Sequence, residues 1–310
     1  MFRIMAIGLA ILLSASQSTP AAATESCLHT LQNWFGRSTN QPGDDDTFRA
    51  FKYEYGCDSS RDMDAAIRYY RKAVEVENSK AMMMLAILYA VVGADKYRNM
   101  KEYRRLMESA AERGEVDAAY WLATDYVSGR DNLPKDDTAA FKWMREAAKD
   151  GMGSANEDVG EMYYYGRGTP QNFRLAADSF LKGAEWGDGK AQFILGLMYW
   201  NGKGVPQNLV QAHKWLNLAA SVGMFHLGEY ETTADAISMA IGSGDWKVDY
   251  PYTREKAAAL RDRLAGLMTP DQLSEAQRLA SEWRPVHASG GATPPPRNLR
   301  SRKLGHSPPL

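Results

Sequence analysis

Few residues in this 310-residue chain stand at spacings that chemistry would require. Ser179-x-x-Lys182 has the separation of a serine nucleophile and a lysine one helical turn apart, as in acyl-enzyme chemistry. Such sites also use a Ser-Asp-Asn and a Lys-Thr-Gly, and neither occurs. There is no His-Glu-x-x-His and no Gly-x-Ser-x-Gly, and the five histidines, His29, His213, His226, His287 and His306, are scattered. Gly166-Arg167-Gly168 and Gly202-Lys203-Gly204 invite a phosphate-loop reading, but no strand precedes them and the loop's lysine and hydroxyl are missing from their places. The two cysteines, Cys27 and Cys57, form neither a Cys-x-x-Cys nor a zinc-spaced set. The expectation is therefore no enzyme, no cofactor and no metal.

The elements that would position any site come next. A 45% hydrophobic and 24% charged composition belongs to a folded protein of one large or two ordinary domains. Lys plus Arg total 37 and Asp plus Glu 38, so nothing in the whole-chain charge favours nucleic acid or an anionic membrane as partner. Residues 1–23 are laid out as a cleavable secretory signal: Arg3, an apolar run from Ile4 to Leu13, then Ala21-Ala22-Ala23. The alternative is a retained interfacial anchor. No later window approaches the roughly 20 apolar residues of a spanning helix, so the chain is expected not to cross a membrane. Export, to the periplasm or beyond, would permit one disulfide between Cys27 and Cys57, stabilising by about 3–4 kcal/mol; two unpaired thiols are the alternative.

Self-comparison supplies the strongest signal. Ala81-x-x-x-Leu85-Ala86-x-x-Tyr89, Ala118-x-x-x-Leu122-Ala123-x-x-Tyr126, Ala155-x-x-x-Val159-Gly160-x-x-Tyr163 and Ala191-x-x-x-Leu195-Gly196-x-x-Tyr199 align, their alanines 37, 37 and 36 residues apart. In the same register run Trp143-x-x-Glu146-Ala147-Ala148-x-x-Gly151 and Trp215-x-x-Leu218-Ala219-Ala220-x-x-Gly223, with weaker copies ending at Gly114 and Gly187. The apolar stripe has helical spacing and the glycine suits a left-handed helix stop, so the unit reads helix, turn, helix, glycine.

The set A-x-x-x-L-G-x-x-Y-x-x-G-x-G-V, followed by a Trp-bearing helix ending Ala-Ala-x-x-Gly, resembles the Sel1-like repeat, a longer relative of the tetratricopeptide repeat. Residues 191–223 fit best, 155–187 nearly as well, 118–151 without the loop glycines, and 81–114 without a Gly-x-Gly. The resemblance implies an all-α, right-handed α-solenoid of about four helix-turn-helix repeats. The expected layout is signal 1–23, N-terminal extension 24–63, repeats 64–223 opening on a half-unit, irregular connection 224–252, a capping helix pair 253–284, and a basic tail 285–310 without acidic residues. Thr269, Pro270 and Gln272 are spaced for a capping box at the last helix. The tail either touches an anionic polymer or is simply solvated.

The resemblance also implies a function: exported Sel1-like proteins include regulators of sensor kinases and envelope assembly factors, so a protein or peptide partner is expected. Cysteine-rich relatives linked to β-lactams make a β-lactam- or peptidoglycan-binding or hydrolysing protein the alternative, although this chain lacks their paired cysteines. Positions 3, 7 and 10 of the first helix of each repeat lie off the packed stripe and are expected to face a concave groove. Tyr120, Thr124, Glu157, Glu161, Tyr164, Phe193, Leu197 and Trp200 are the candidate partner-binding residues, an aromatic and apolar surface with an acidic step. The alternative is that Phe193, Leu197 and Trp200 pack against 224–251 as core. Amino-terminal sequencing of the exported protein is expected to begin at Thr24, with no thiol titratable until a reductant is added.

Overall fold

The computed structural model describes residues 42–57, 61–91, 98–129, 134–149, 153–221 and 253–286. The proposed signal, Cys27, the connection 224–252 and all but the first two residues of the basic tail lie outside them. Among the described residues the regular structure is entirely α-helical. The helices are α1 (Asp44–Tyr55), α2 (Met63–Glu75), α3 (Ser79–Val91), α4 (Met100–Glu112), α5 (Val116–Ser128), α6 (Asp137–Lys149), α7 (Gly153–Tyr165), α8 (Phe173–Glu185), α9 (Gly189–Asn201), α10 (Leu209–Ser221), α11 (Arg254–Ala265) and α12 (Pro270–Glu282). The chain divides into two compact units between Lys135 and Asp136.

In the first unit α1 packs on α2, α2 on α3, α3 on α4 and α4 on α5. In the second the same chain of neighbours runs from α6 to α10, and α10 then packs on both α11 and α12. This is the all-α repeat arrangement expected, with consecutive helices packed on one another within each unit. The aligned alanines Ala81, Ala118, Ala155 and Ala191 are all fully buried. A methyl there lets two helix backbones approach closely where a larger side chain would hold them apart.

One feature differs from expectation. The segment assigned to an N-terminal extension contains a complete helix, α1, so the repeats open on a pair and not on a half-unit. Its signal is present in diverged form: Thr47, Phe51 and Tyr55 hold repeat positions 1, 5 and 9, and Gly43 precedes Thr47 by the four residues that separate Gly114 from Ala118. Gly43 has φ +83°, close to the +86° of Gly114. Thr47 hides its hydroxyl, buried where other repeats carry alanine, by donating to the Gly43 carbonyl at 2.8 Å. The repeat 81–114, which lacks the glycine loop, forms the packed pair α3 and α4 as expected.

The Pro-Gln-Asn that follows each Gly-x-Gly holds the turn together. Gln171 and Gln207 each donate to the carbonyl of Tyr164 and Trp200, respectively, at 2.8 Å. The Asn172 carboxamide caps α8 through the Leu175 N–H at 3.0 Å, and Asn208 caps α10 through Gln211 at the same distance. Both ends of the turn are thereby satisfied by side chains. At the last helix, the Thr269–Gln272 capping box is present. Beyond it Trp283 meets Trp215 edge-on at 6.4 Å, and the Val286 N–H donates to the Glu185 carbonyl.

Gly168 and Gly204 are where the loop meets the rest of the second unit. Their φ values are +67° and +75°. A Cβ at Gly168 would stand 1.9 Å from the Asp137 carbonyl oxygen, and one at Gly204 2.1 Å from that of Phe173. The second glycine of the loop therefore lies against the first residue of the preceding repeat's second helix, backbone to backbone. Gly204→Ala is expected to destabilise the protein by about 3 kcal/mol or more, combining left-handed strain with displacement of α8. A thermal melt should show this as a lower midpoint, with Lys203→Ala shifting it far less.

A buried acidic cluster on the seventh helix

Helix α7 begins at Gly153 and is covered almost all round. Ala155, Val159 and Met162 provide the apolar stripe, yet Asn156, Glu157, Asp158 and Glu161 are buried beside them. Asn156 donates to the Ala148 carbonyl at 3.2 Å, and Gln192 one repeat later to the Ala184 carbonyl at 3.1 Å. Each satisfies the last turn of the helix before it, which explains a buried carboxamide at that position.

The carboxylates have a different arrangement. One oxygen each from Glu157, Asp158 and Glu161 lies within 4.8 Å of the others. Lys190, in the first turn of α9, places its Nζ 2.6 Å from Glu157 Oε1 and also pairs with Glu161. Arg167 reaches Glu161 at 3.5 Å from the glycine loop. Oxygen ligands this close could hold a hard cation, but here the charge among them is the Lys190 ammonium. Burial, followed by repulsion from Glu157, pushes the Glu161 carboxyl up to about 7, with Lys190 acting in the opposite sense. Burial opposes the charge on Lys190, but Glu157 and Glu161 together outweigh it and hold the ammonium well above its ordinary range.

Aromatic rings adjoin this cluster. Tyr164 meets Phe173 edge-on at 5.0 Å, and Lys203 lies over both rings, 4.6 and 4.4 Å from their centroids. Phe193, Leu197 and Tyr164 belong to the core of the second unit, with Trp200 packed against it half-buried.

The eight candidate partner-binding residues thus fall into two groups. Glu157, Glu161, Tyr164, Phe193 and Leu197 are all at most 5% exposed, which corrects the expectation of an accessible groove face at those positions. The reason is that α7 and α9 are buried on faces beyond the stripe, so lying off it does not expose a residue. Tyr120, Thr124 and Trp200 are half-buried, and Thr124 turns its hydroxyl back to the Tyr120 carbonyl at 2.7 Å. Tyr120 and Thr124 stand in the first unit, the other six in the second. Sequence reasoning singled out Glu157 and Glu161 but missed Asp158, Lys190 and Arg167, whose repeat positions carry no signal of a shared charge site. Ser179 is buried within α8 while Lys182 is exposed, so the pair does not present an accessible hydroxyl.

The Sel1 repeat model matches residues 49–76, 116–152, 153–187 and 189–230. The repeat region belongs to the Sel1 repeat family. The first matched segment takes in most of α1 and all of α2. An uncharacterized protein of Neisseria meningitidis serogroup B is 32% identical over 114 residues, 37% of this chain; the chain spans 23% of that relative's length. A Sel1 repeat protein from Oxalobacter formigenes aligns over 84% of this chain and 96% of its own, at TM-score 0.49 and 23% identity. A protective antigen of uropathogenic Escherichia coli displaying an SLR fold aligns over 85% of this chain and 56% of its own, at TM-score 0.40 and 20% identity. Sel1 repeat proteins are generally scaffolds for protein–protein interaction. No helix among the described residues is long and apolar enough to cross a membrane.

The raised Glu161 carboxyl has a consequence for stability. Between its ordinary value of 4.5 and about 7 the folded state holds a proton that the unfolded state has lost, so this group lowers stability as pH rises through that window. Glu54 and Glu115 of the first unit, also raised to about 7 chiefly by burial, act in the same sense. Glu161→Gln is expected to lessen the fall in melting temperature between pH 5 and pH 8. Lys190→Met, which strands buried carboxylates, should destabilise by about 3–5 kcal/mol at pH 8.

Proposed function

We propose that this chain is an exported scaffold that holds a protein or peptide partner, and that it serves to regulate or assemble an envelope complex. The observation carrying this reading is the run of matched Sel1 repeats, whose family generally mediates protein–protein contact. Stacked helix pairs offer a repeated surface on which an extended partner can lie. Export is supported by the signal-like layout of residues 1–23, and a Cys27–Cys57 bridge would suit an oxidising compartment. Half-buried Tyr120 and Trp200 are the aromatic anchors we assign to the partner, because large rings that still reach solvent dominate such interfaces.

The acidic cluster has a positioning role in this reading. Lys190 ties the start of α9 to α7, holding the helices that carry Tyr164 and Trp200 in register. The buried Ser179 gives no support to the acyl-enzyme alternative. A photoreactive residue placed at Tyr120 or Trp200 is expected to form one discrete adduct with another protein in cells, absent when it is placed at exposed Lys182. A folded, abundant protein that yields no adduct from either site would overturn the scaffold reading.

A further inference from the structure

The first unit contains an open cleft of about 470 Å3, bordered by Asp64, Arg68, Arg71, Tyr89, Arg98 and Asn99. Asp64, Arg68 and Arg71 follow one another at i, i+4 and i+7 along one face of α2, while Arg98 and Asn99 immediately precede α4. The three arginines are exposed. Among the described residues no carboxylate pairs with Arg68 or Arg71. Among the described residues, Arg68 and Arg71 thus bring two guanidiniums with no paired carboxylate to this cleft, on a chain whose formal net charge is −1.

The repeat architecture does not ask for this charge. Arg71 donates from Nε and Nη2 to the Tyr89 hydroxyl at 3.3 and 3.0 Å, across a separation of 18 residues. One repeat on, the Tyr126 hydroxyl donates to Glu108 at 3.2 Å across the same separation. The position that contacts the repeat tyrosine thus accepts either sign, and packing is served equally by both. Arg68 and Arg71, three apart on a helix, repel one another.

The geometry suits carboxylates. Each guanidinium offers a planar fork that matches a carboxylate in two parallel hydrogen bonds. Arg71 is oriented by Tyr89, which retains its own O–H as a further donor toward the cleft. The face of α2 from Asp64 to Arg71 is about 10 Å long at 1.5 Å per residue, room for about three residues of an extended chain and more than one carboxylate. We propose that this cleft binds an acidic peptide segment of a protein partner, with its Asp or Glu carboxylates seated on Arg68 and Arg71. The proposal rests on the scaffold reading for the source of the peptide, and its chemistry is that of arginine clusters that read acidic motifs.

The test uses the purified full chain and a fluorescent decapeptide rich in Glu and Asp, read by anisotropy at low salt. Binding is expected, weakened at least tenfold by Arg68→Gln with Arg71→Gln and further by added salt. The matching Gln and Asn peptide should not bind, and inorganic phosphate should compete only weakly. Because both side chains are exposed, melting temperature should be unchanged, and Arg68→Gln alone gives a milder variant should the double one melt early. Equal binding by wild type and the double variant, no binding at low salt, or full displacement by phosphate at equal concentration would overturn the proposal. The readings separate cleanly: a photo-adduct at Tyr120 or Trp200 that survives Arg68→Gln with Arg71→Gln sinks the cleft and leaves the scaffold standing. Peptide binding without any adduct does the reverse.

Discussion

Close approach of helix backbones is the constraint on which the structure depends. A helix pair of about 36 residues cannot bury its apolar face alone, and gains stability only when neighbours cover it. Covering it requires residues with almost no side chain at the contact, and Ala81, Ala118, Ala155 and Ala191 meet that need with no exposed surface. Gly168 and Gly204 carry the same logic into the loops, where a carbonyl of an earlier helix occupies the space a Cβ would fill. Larger residues enter only where they have a polar partner, as Thr47 does with Gly43.

Bringing helices so near one another leaves many of their ends shielded from water, and buried ends need partners. The repeat meets this with carboxamides at fixed places. Asn172 and Asn208 cap the second helix, Gln171 and Gln207 close the turn, and Asn156 and Gln192 serve the last turn of the helix before. These polar residues recur with the same 36-residue period as the alanines, and they make the turn geometry depend on side chains as much as on glycine.

Against that regular background the charges are individual. Glu157, Glu161 and Lys190 form a buried group whose members stabilise one another as a set, since removing the ammonium would take a counter-charge from carboxylates held out of water. In the first unit Arg68 and Arg71 have the opposite character: they are exposed, and the position of Arg71 holds an acidic residue, Glu108, one repeat on. The contrast is between charge that ties two helices together and charge that the packing does not require.

The helical class and the Thr269–Gln272 box were legible in the chain because each depends on residues within one or two turns of each other, and the repeat period because the same local pattern recurs every 36 or 37 residues. Helix α1 was harder to read, since Thr47, Phe51 and Lys52 stand where other repeats carry Ala, Leu and a small residue; its contacts with α2 and the family match over 49–76 show the equivalence. The fate of the groove residues was equally hidden. Helical periodicity tells which side chains share a face, but whether Phe193, Leu197 and Tyr164 meet solvent depends on what other parts of the chain lie against that face. Burial and charge pairing are properties of residues far apart in sequence, as with Glu161 and Lys190 twenty-nine positions on. Local spacing determined the elements; only the packing of one element on the next decided which of their side chains became core, which became ion pairs, and which stayed exposed.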